Sequence, residues 1–423
     1  MQTLQQLRSG ELAGAVRLQL RCALTEFPRE IFDLAETLEI LDLTGNSLSS
    51  LPDDLPRLRR LRIIFCSENQ FTELPAVLGR CPSLTMIGFK ANRITSVPAA
   101  ALPPRLRWLI LTDNRIEQLP GEIGKCIDMQ KLMLSGNRLS ALPSALANCS
   151  KLELLRISAN KLPGLPDWLP AMPRLAWLAF AGNPFSEAAI PPAASIPWDE
   201  LQIQHKLGEG ASGVIHQAIL NGEPVAVKVY KGAMTSDGLP AQEIAACIGA
   251  GKHPNLIPVL GTIPDHPASL PALVMPLVDP DLRNLAGPPS FASCTRDVYA
   301  DDQHFTTEAL LGIARSIASA AAHLHERGIM HGDLYAHNIL NCGKGNAVLG
   351  DFGGASCFAP GTIRASALER LEVRAFGYLL EELLERGEEE LPQVRALAND
   401  CLHPAPETRP AFAEAAARLE AAD

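Results

Sequence analysis

Between residues 38 and 185, leucines and their apolar substitutes keep fixed offsets from a recurring asparagine. The asparagines stand at 46, 69, 92, 114, 137, 160 and 183, in steps of 23, 23, 22, 23, 23 and 23 residues. The template LxxLxLxxNxLxxLP surrounds each one. It reads Leu38, Leu41, Leu43, Asn46, Leu48, Leu51, Pro52 in the first clear copy, and Met129, Leu132, Leu134, Asn137, Leu139, Leu142, Pro143 in a later one. Apolar residues two apart share one face of an extended segment, so each copy is expected to supply one short strand. No copy can bury that face alone, and stacked neighbours must provide the core. Each asparagine is expected to bond backbone groups of the adjacent turn, forming a ladder. Residues 18–28 form a copy one residue short, suited to an N-terminal cap. The copy at Asn183 loses its Leu-Pro ending and marks the C-terminal end.

This period and template resemble the leucine-rich repeat. The positions between the buried leucines then face the concave side of a solenoid. Six residues before each asparagine stand Ile40, Ile63, Met86, Trp108, Lys131, Leu154 and Trp177; four before stand Asp42, Phe65, Gly88, Ile110, Met133, Arg156 and Ala179. Phe65, Met86, Trp108, Ile110 and Met133 form an expected apolar patch, of the kind that marks a protein-binding surface. The alternative is that the second half of this chain, or neighbouring side chains, cover it.

The periodicity stops at Ser186–Pro197, a Pro- and Ala-rich stretch that reads as a semi-extended linker. Beyond it, Val214–Ile219 alternates as a strand, Ala241–Ala250 is helix-like around Glu243, and Leu273–Val278 is an apolar strand. Thr307–Arg327 carries helical apolar spacing up to Gly328. The length of 423 residues requires at least two domains.

A net charge of −10 gives no basic footprint for nucleic acid or anionic lipid. Glu11 and Arg17 break the N-terminal region, so no secretory leader is expected, and no stretch has the length and apolarity of a membrane span. Ten cysteines without CxxC pairs point to reduced thiols in a cytoplasmic setting rather than to disulfides or a zinc site.

The chemistry concentrates in the second half. His331-Gly-Asp-Leu-Tyr-Ala-His-Asn338 precedes Asp351-Phe-Gly353 by thirteen residues (351 − 338). Asp333 can receive a hydroxyl proton beside an amide, Asn338, and a second carboxylate, Asp351, both suited to Mg²⁺. Upstream, Leu207-Gly-Glu-Gly-Ala-Ser-Gly213-Val-Ile215 places glycines at 208, 210 and 213, where backbone can approach phosphates. Val225-Ala-Val-Lys228 ends an apolar strand with a cation able to reach phosphates. Glu243, the only carboxylate between Asp237 and Asp265, is its natural partner. His331 reads as a packing and hydrogen-bonding residue, and Arg409 as the salt-bridge partner of Glu369.

Residues 200–415 resemble the eukaryote-type protein kinase domain, with the motifs in the family's order. Joined to the repeats, the chain resembles the leucine-rich-repeat protein kinases of bacteria. The resemblance implies an α/β repeat solenoid (1–185, about eight repeats, the first a degenerate cap), a linker (186–199) and a two-lobed α+β kinase-like domain (200–423). It implies ATP and Mg²⁺ as cofactors, with Asn338 and Asp351 on the metal and Asp333, Lys228 and Glu243 as catalytic residues. The nucleotide would contact Leu207, Gly208, Gly210, Gly213, Ile215, Ala226, Lys228, Met275 and Leu277. Transfer would go to Ser/Thr hydroxyls of proteins, with a partner on the repeats.

Gly332, Tyr335 and His337 depart from the family, replacing cations expected near the catalytic aspartate. The segment from Gly353 to a degenerate Ala-Pro-Glu at Ala367-Leu-Glu369 is short, as is the path from Gly377 to Arg409. Three readings stay open: an active protein kinase, a small-molecule phosphotransferase of the aminoglycoside or choline type, and a nucleotide-binding pseudokinase acting as an interaction module. On the first, activity is expected not to need phosphorylation of Ser356, Thr362 or Ser366.

Overall fold

A computed structural model describes residues 2–422 except 187–190, 211, 233, 236 and 344. Its chain forms two compact units, Met1–Met172 and Pro173–Asp423. In the first, a short helix α1 (Leu4–Arg8) precedes seven three-residue strands: β1 (Arg17–Gln19), β2 (Ile40–Asp42), β3 (Ile63–Phe65), β4 (Met86–Gly88), β5 (Trp108–Ile110), β6 (Lys131–Met133) and β7 (Leu154–Arg156). Each pairs in parallel with the next, so that Leu41, Ile64, Ile87, Leu109, Leu132 and Leu155 stand in one row. All six are fully buried. Short 3₁₀ turns return the chain behind the strands.

The asparagine ladder holds the turns together. Asn137 accepts the Ile116 N–H at 3.0 Å and donates to the carbonyls of Leu111 and Leu134, both at 2.9 Å. Asn46, Asn69, Asn92, Asn114 and Asn160 repeat the pattern. Cys66, Cys81, Cys126 and Cys149 are buried core thiols, and burial pushes each above its ordinary pKa.

On the opposite strand face, Phe65, Trp108, Ile110 and Met133 keep partial exposure. Met86 does not: it is buried at 4% exposure, so the expected five-residue patch loses one member. The Lys131 ammonium lies over the Trp108 ring at 4.5 Å, a cation–π contact that shields part of the indole.

The second unit begins inside the last repeat copy. Its strand β8 (Trp177–Ala179) packs with residues C-terminal to it, so the compact unit starts at Pro173, although the repeat register runs on to 185. A five-stranded antiparallel sheet comes next, built from β9 (Leu201–Glu209), β10 (Gly213–Leu220), β11 (Glu223–Tyr230), β12 (Gly261–Thr262) and β13 (Ala272–Pro276) in the order β12-β13-β11-β10-β9. Helix α2 (Pro240–Ala250) joins β11 to β12. Alternating residues Val225, Val227 and Val229 enter a core with Ala218, Ile263 and Val274.

The expected linker is partly structured. Residues 187–190 lie outside the described residues, but Ile196 N–H donates to the Thr262 carbonyl and Thr262 N–H to Ala194, both at 2.9 Å. Extended chain thus adds to the β12 edge, with Ile196 in the sheet's core.

A helical lobe completes the unit. It contains β14 (Arg283–Asn284), α3 (Thr307–Glu326), β15 (Ile329–Met330), β16 (Ile339–Asn341), β17 (Ala347–Leu349), β18 (Ser356–Cys357), α4 (Ile363–Leu384), α5 (Pro392–Cys401) and α6 (Phe412–Glu420). Thr306 caps α3 by accepting the Ala309 N–H, and buried Leu310, Ile313, Ile317 and Leu324 recur on one face of that helix. The Ala367–Glu369 triplet lies within α4 rather than in an extended segment.

Arg409 does not pair with Glu369. Fully buried, it donates instead to the carbonyls of His403, Arg370 and Pro173 at 2.8, 2.8 and 2.9 Å. Glu369 accepts the Phe412 N–H at the start of α6.

Candidate active site

Lys228 sits near the end of β11, opposite Ile215 on β10 and Leu273 on β13. Its ammonium lies 2.5 Å from Glu243 Oε1 on α2. Burial disfavours the lysine's charge, yet the Glu243 and Asp351 carboxylates hold its pKa above the ordinary value, so it stays a cation. Tyr230, two residues on and on the same strand face, donates its hydroxyl to the same Glu243 oxygen at 3.0 Å. Glu243 Oε2 is buried without a partner. Sequence reasoning passes over Tyr230, although the strand period carries the signal.

A cavity of about 610 Å³ is lined by Ile215, the cross-strand partner of Lys228, and by Ala226, two residues before it. Leu207, Gly208, Ile215, Ala226, Met275 and Leu277 line it, with Ile257 from the chain between α2 and β12 and Leu340 from β16 of the other lobe. Strand β13 ends at Pro276, so Leu277 lies just beyond the ladder. Of the remaining glycines, Gly210 faces open space, and its N–H donates to the Gly213 carbonyl at 2.9 Å. Gly213 has a packing reason for its identity: a Cβ there would lie 2.6 Å from the Val229 carbonyl oxygen. Ala211, which follows Gly210 in the sequence, is outside the described residues.

Residues 333–338 come together as a hydrogen-bonded turn. Asn338 donates its side-chain amide to both the carbonyl and the carboxylate of Asp333, at 2.9 and 3.0 Å. That leaves the Asn338 amide oxygen as the atom available to a hard cation. Asp351 holds φ +50°, unusual for a non-glycine residue, and accepts the Gly353 N–H. A divalent ion fits this donor set of one amide oxygen and one carboxylate. Among the described residues no group of three or more His, Cys, Asp or Glu is poised to hold a metal unaided.

His331 is fully buried; its Nε2 meets the Gly350 carbonyl at 2.9 Å, and its Nδ1 accepts the Asp333 N–H. It packs and orients. His337 is gripped by Asp297, which takes its backbone N–H at 3.0 Å and meets Nδ1 at 2.7 Å. Burial works against the His337 charge, but Asp297, Asp333 and Asp351 hold its pKa above the ordinary value.

Two further groups are not legible in the sequence. Glu372, on α4, accepts the N–H groups of His331 and Gly332 and meets His325 Nε2. Trp177, in the last repeat copy, donates to the Leu334 carbonyl. Both are long-range contacts that no local pattern announces. Ser356 and Thr362 are likewise unlike free acceptor sites. Ser356 is fully buried and accepts two backbone N–H groups; Thr362 caps α4.

Residues 201–374 match the family of protein tyrosine and serine/threonine kinases, and residues 37–58 and 104–162 match leucine-rich repeats. The chain thus carries leucine-rich repeats followed by a protein-kinase domain. A probable serine/threonine-protein kinase of Dictyostelium discoideum is 31% identical over 156 residues, 36% of this chain and 9% of that protein. The serine/threonine-protein kinase PITSLRE of Drosophila melanogaster is 29% identical over 160 residues, 37% of this chain and 16% of that protein. The serine/threonine-protein kinase mos of Xenopus laevis is 26% identical over 186 residues, 43% of this chain and 44% of that protein. The chain therefore spans less than half the length of each of these relatives.

Proposed function

We propose that this protein transfers the γ-phosphoryl group of ATP to Ser/Thr hydroxyls of protein substrates. The observation that carries the reading is the Lys228–Glu243 pair at 2.5 Å, with Lys228 kept charged in the field of Asp351 and its sheet neighbours Ile215 and Ala226 lining a cavity of nucleotide size. In this reading the base enters between Leu207, Ile215, Ala226, Met275 and Leu277, and Lys228 neutralises phosphate charge. Asn338 and Asp351 hold Mg²⁺, which supplies charge stabilisation at the phosphates when bound.

Asp333 takes the acceptor's proton as the hydroxyl oxygen bonds to the γ-phosphorus and the bond to the ADP oxygen breaks. Asn338, by bonding Asp333 twice, sets the orientation of that carboxylate. Positioning of this kind supplies most of the rate in phosphoryl transfer.

The repeats recruit a protein through their strand face, where Phe65, Trp108, Ile110 and Met133 retain apolar exposure. Cysteines that form no disulfide among the described residues support a reducing compartment such as the cytoplasm. Among the described residues no helix is long and apolar enough to cross a membrane.

Purified protein incubated with Mg²⁺ and labelled ATP, beside its Lys228→Met and Asp333→Ala variants, tests the assignment. Label on protein Ser or Thr that disappears in both variants is expected. Undiminished labelling in either variant, or label confined to added small molecules, would reject it.

A further inference from the structure

We propose that the last repeat copy is a working part of the kinase domain, with Trp177 a positioning residue that holds the catalytic loop. The inference rests on the proton-accepting role proposed for Asp333.

Five consecutive residues, Trp177 to Ala181, grip two separate stretches of the site. The Trp177 indole N–H donates to the carbonyl of Leu334, the residue directly after Asp333, at 2.9 Å. Its ring lies flat on Tyr335, with centroids 4.2 Å apart and planes 6° apart, and also stacks on Tyr378 of α4 at 5.4 Å. The Arg296 guanidinium lies over the Tyr378 ring at 4.1 Å. The indole is 1% exposed, so its N–H must find a protein acceptor, and the catalytic loop supplies it. Three residues on, the N–H groups of Phe180 and Ala181 both donate to the Ser356 hydroxyl oxygen, at 2.9 and 3.1 Å. Ser356 closely follows Asp351.

Gly332 ties this grip to the departures in sequence. It has φ +72°, and a Cβ there would lie 2.4 Å from the Gly354 carbonyl oxygen and 2.7 Å from that of Leu178. Strand β8 thus occupies the space into which any side chain at 332 would project. Tyr335, where a cation is expected from the family, is buried and serves instead as the platform for Trp177. Both substitutions, and the burial of Ser356, follow from one structural fact: a repeat strand lies against the loop.

Within the loop, Asn338 and His331 bond Asp333, while the backbone on either side of it is tied to the rest of the domain by Glu372 and by Trp177. Displacement of a reacting group by about 1 Å can cost on the order of a hundredfold in rate. Trp177 acts on the backbone beside Asp333, and so sets where Asp333 stands without touching substrate.

The test uses the full chain with Trp177→Phe, which keeps a stacked ring and removes only the N–H, and with Trp177→Ala. For Trp177→Phe we expect kcat lowered about tenfold, the worth of one buried hydrogen bond. The KM for ATP should stay within about twofold, since the nucleotide cavity is lined by other residues, and Trp177→Ala should lose more. Backbone hydrogen exchange across 331–338 should accelerate in Trp177→Phe, while exchange across 225–229 stays unchanged. Wild-type kcat and wild-type exchange in Trp177→Phe overturn the proposal, as does a loss of kcat that only tracks thermal unfolding. Should the wild-type protein transfer no phosphate, the function assigned to Asp333 falls separately. The exchange measurement then decides the grip alone: faster exchange across 331–338 supports it, and unchanged exchange rejects it.

Discussion

The Glu372 carboxylate accepts the backbone N–H of Gly332 at 2.5 Å from within the core of α4. The same carboxylate takes the His331 N–H at 3.1 Å and meets His325 Nε2 at 2.7 Å. One buried anion therefore anchors the start of the 331–338 loop to the longest helix of the lobe. Burial by itself would push this carboxyl up, but His325, His331 and the Gly332 N–H hold it below the ordinary carboxylate range. A depressed folded pKa contributes stability above the unfolded value, near 4.5, that is lost as pH falls.

Removing that anchor is expected to be severe. Glu372→Ala leaves buried donors unpaired and should cost about 3–5 kcal/mol, as for a broken buried pair. Denaturant unfolding at neutral pH measures it. Glu372→Gln should also shallow the loss of stability below about pH 4.5, and an unchanged acid limb would contradict the linkage.

Gly332→Ala combines a positive φ with two backbone collisions. Neither neighbour is a flexible side chain, so something in β8 or in the Gly354 turn must move. The expected cost is roughly 2 kcal/mol or more, with a fall in kcat larger than any change in the KM for ATP. Wild-type melting and turnover would show that the space is not tightly held.

Burial pushes the Glu382 carboxyl up to about 7, against the ion pair with Arg296. Asp297 adds to the rise, and the Tyr299 hydroxyl opposes it. The folded state thus binds a proton more tightly than the unfolded one, so stability falls as pH rises from about 4.5 to about 7 and levels beyond. Glu382→Gln, which cannot titrate, should show a flatter stability profile between about pH 5 and 7. Parallel profiles for the two proteins would refute this.

In the repeats, Asn137→Ala removes three hydrogen bonds to buried backbone in two neighbouring turns. A loss of roughly 2–4 kcal/mol from the repeat unit is expected, read by hydrogen exchange across residues 108–139. Protection equal to the wild type would mean that the ladder contributes little.

Where one residue type recurs at a fixed period, or where a reacting group needs its neighbour close in the chain, the amino-acid order alone determined the outcome. The Asn46 to Asn160 ladder, the strand rows at Leu41 and Leu109, and the Asp333–Asn338 turn are all of this kind, because short-range geometry dictates each. Lys228 and Glu243 were legible too, since a charge ending an apolar strand needs a counter-ion and one carboxylate was at hand. Tertiary structure alone decided the partners of Arg409, Glu372, Ser356 and Trp177. Each is buried far along the chain from what it bonds, and its partners are mostly backbone groups, which carry no residue identity for a pattern to reveal. It also decided that the last repeat copy packs with the kinase domain. The apolar template specifies that a strand must be covered, and only the folded chain determines by what.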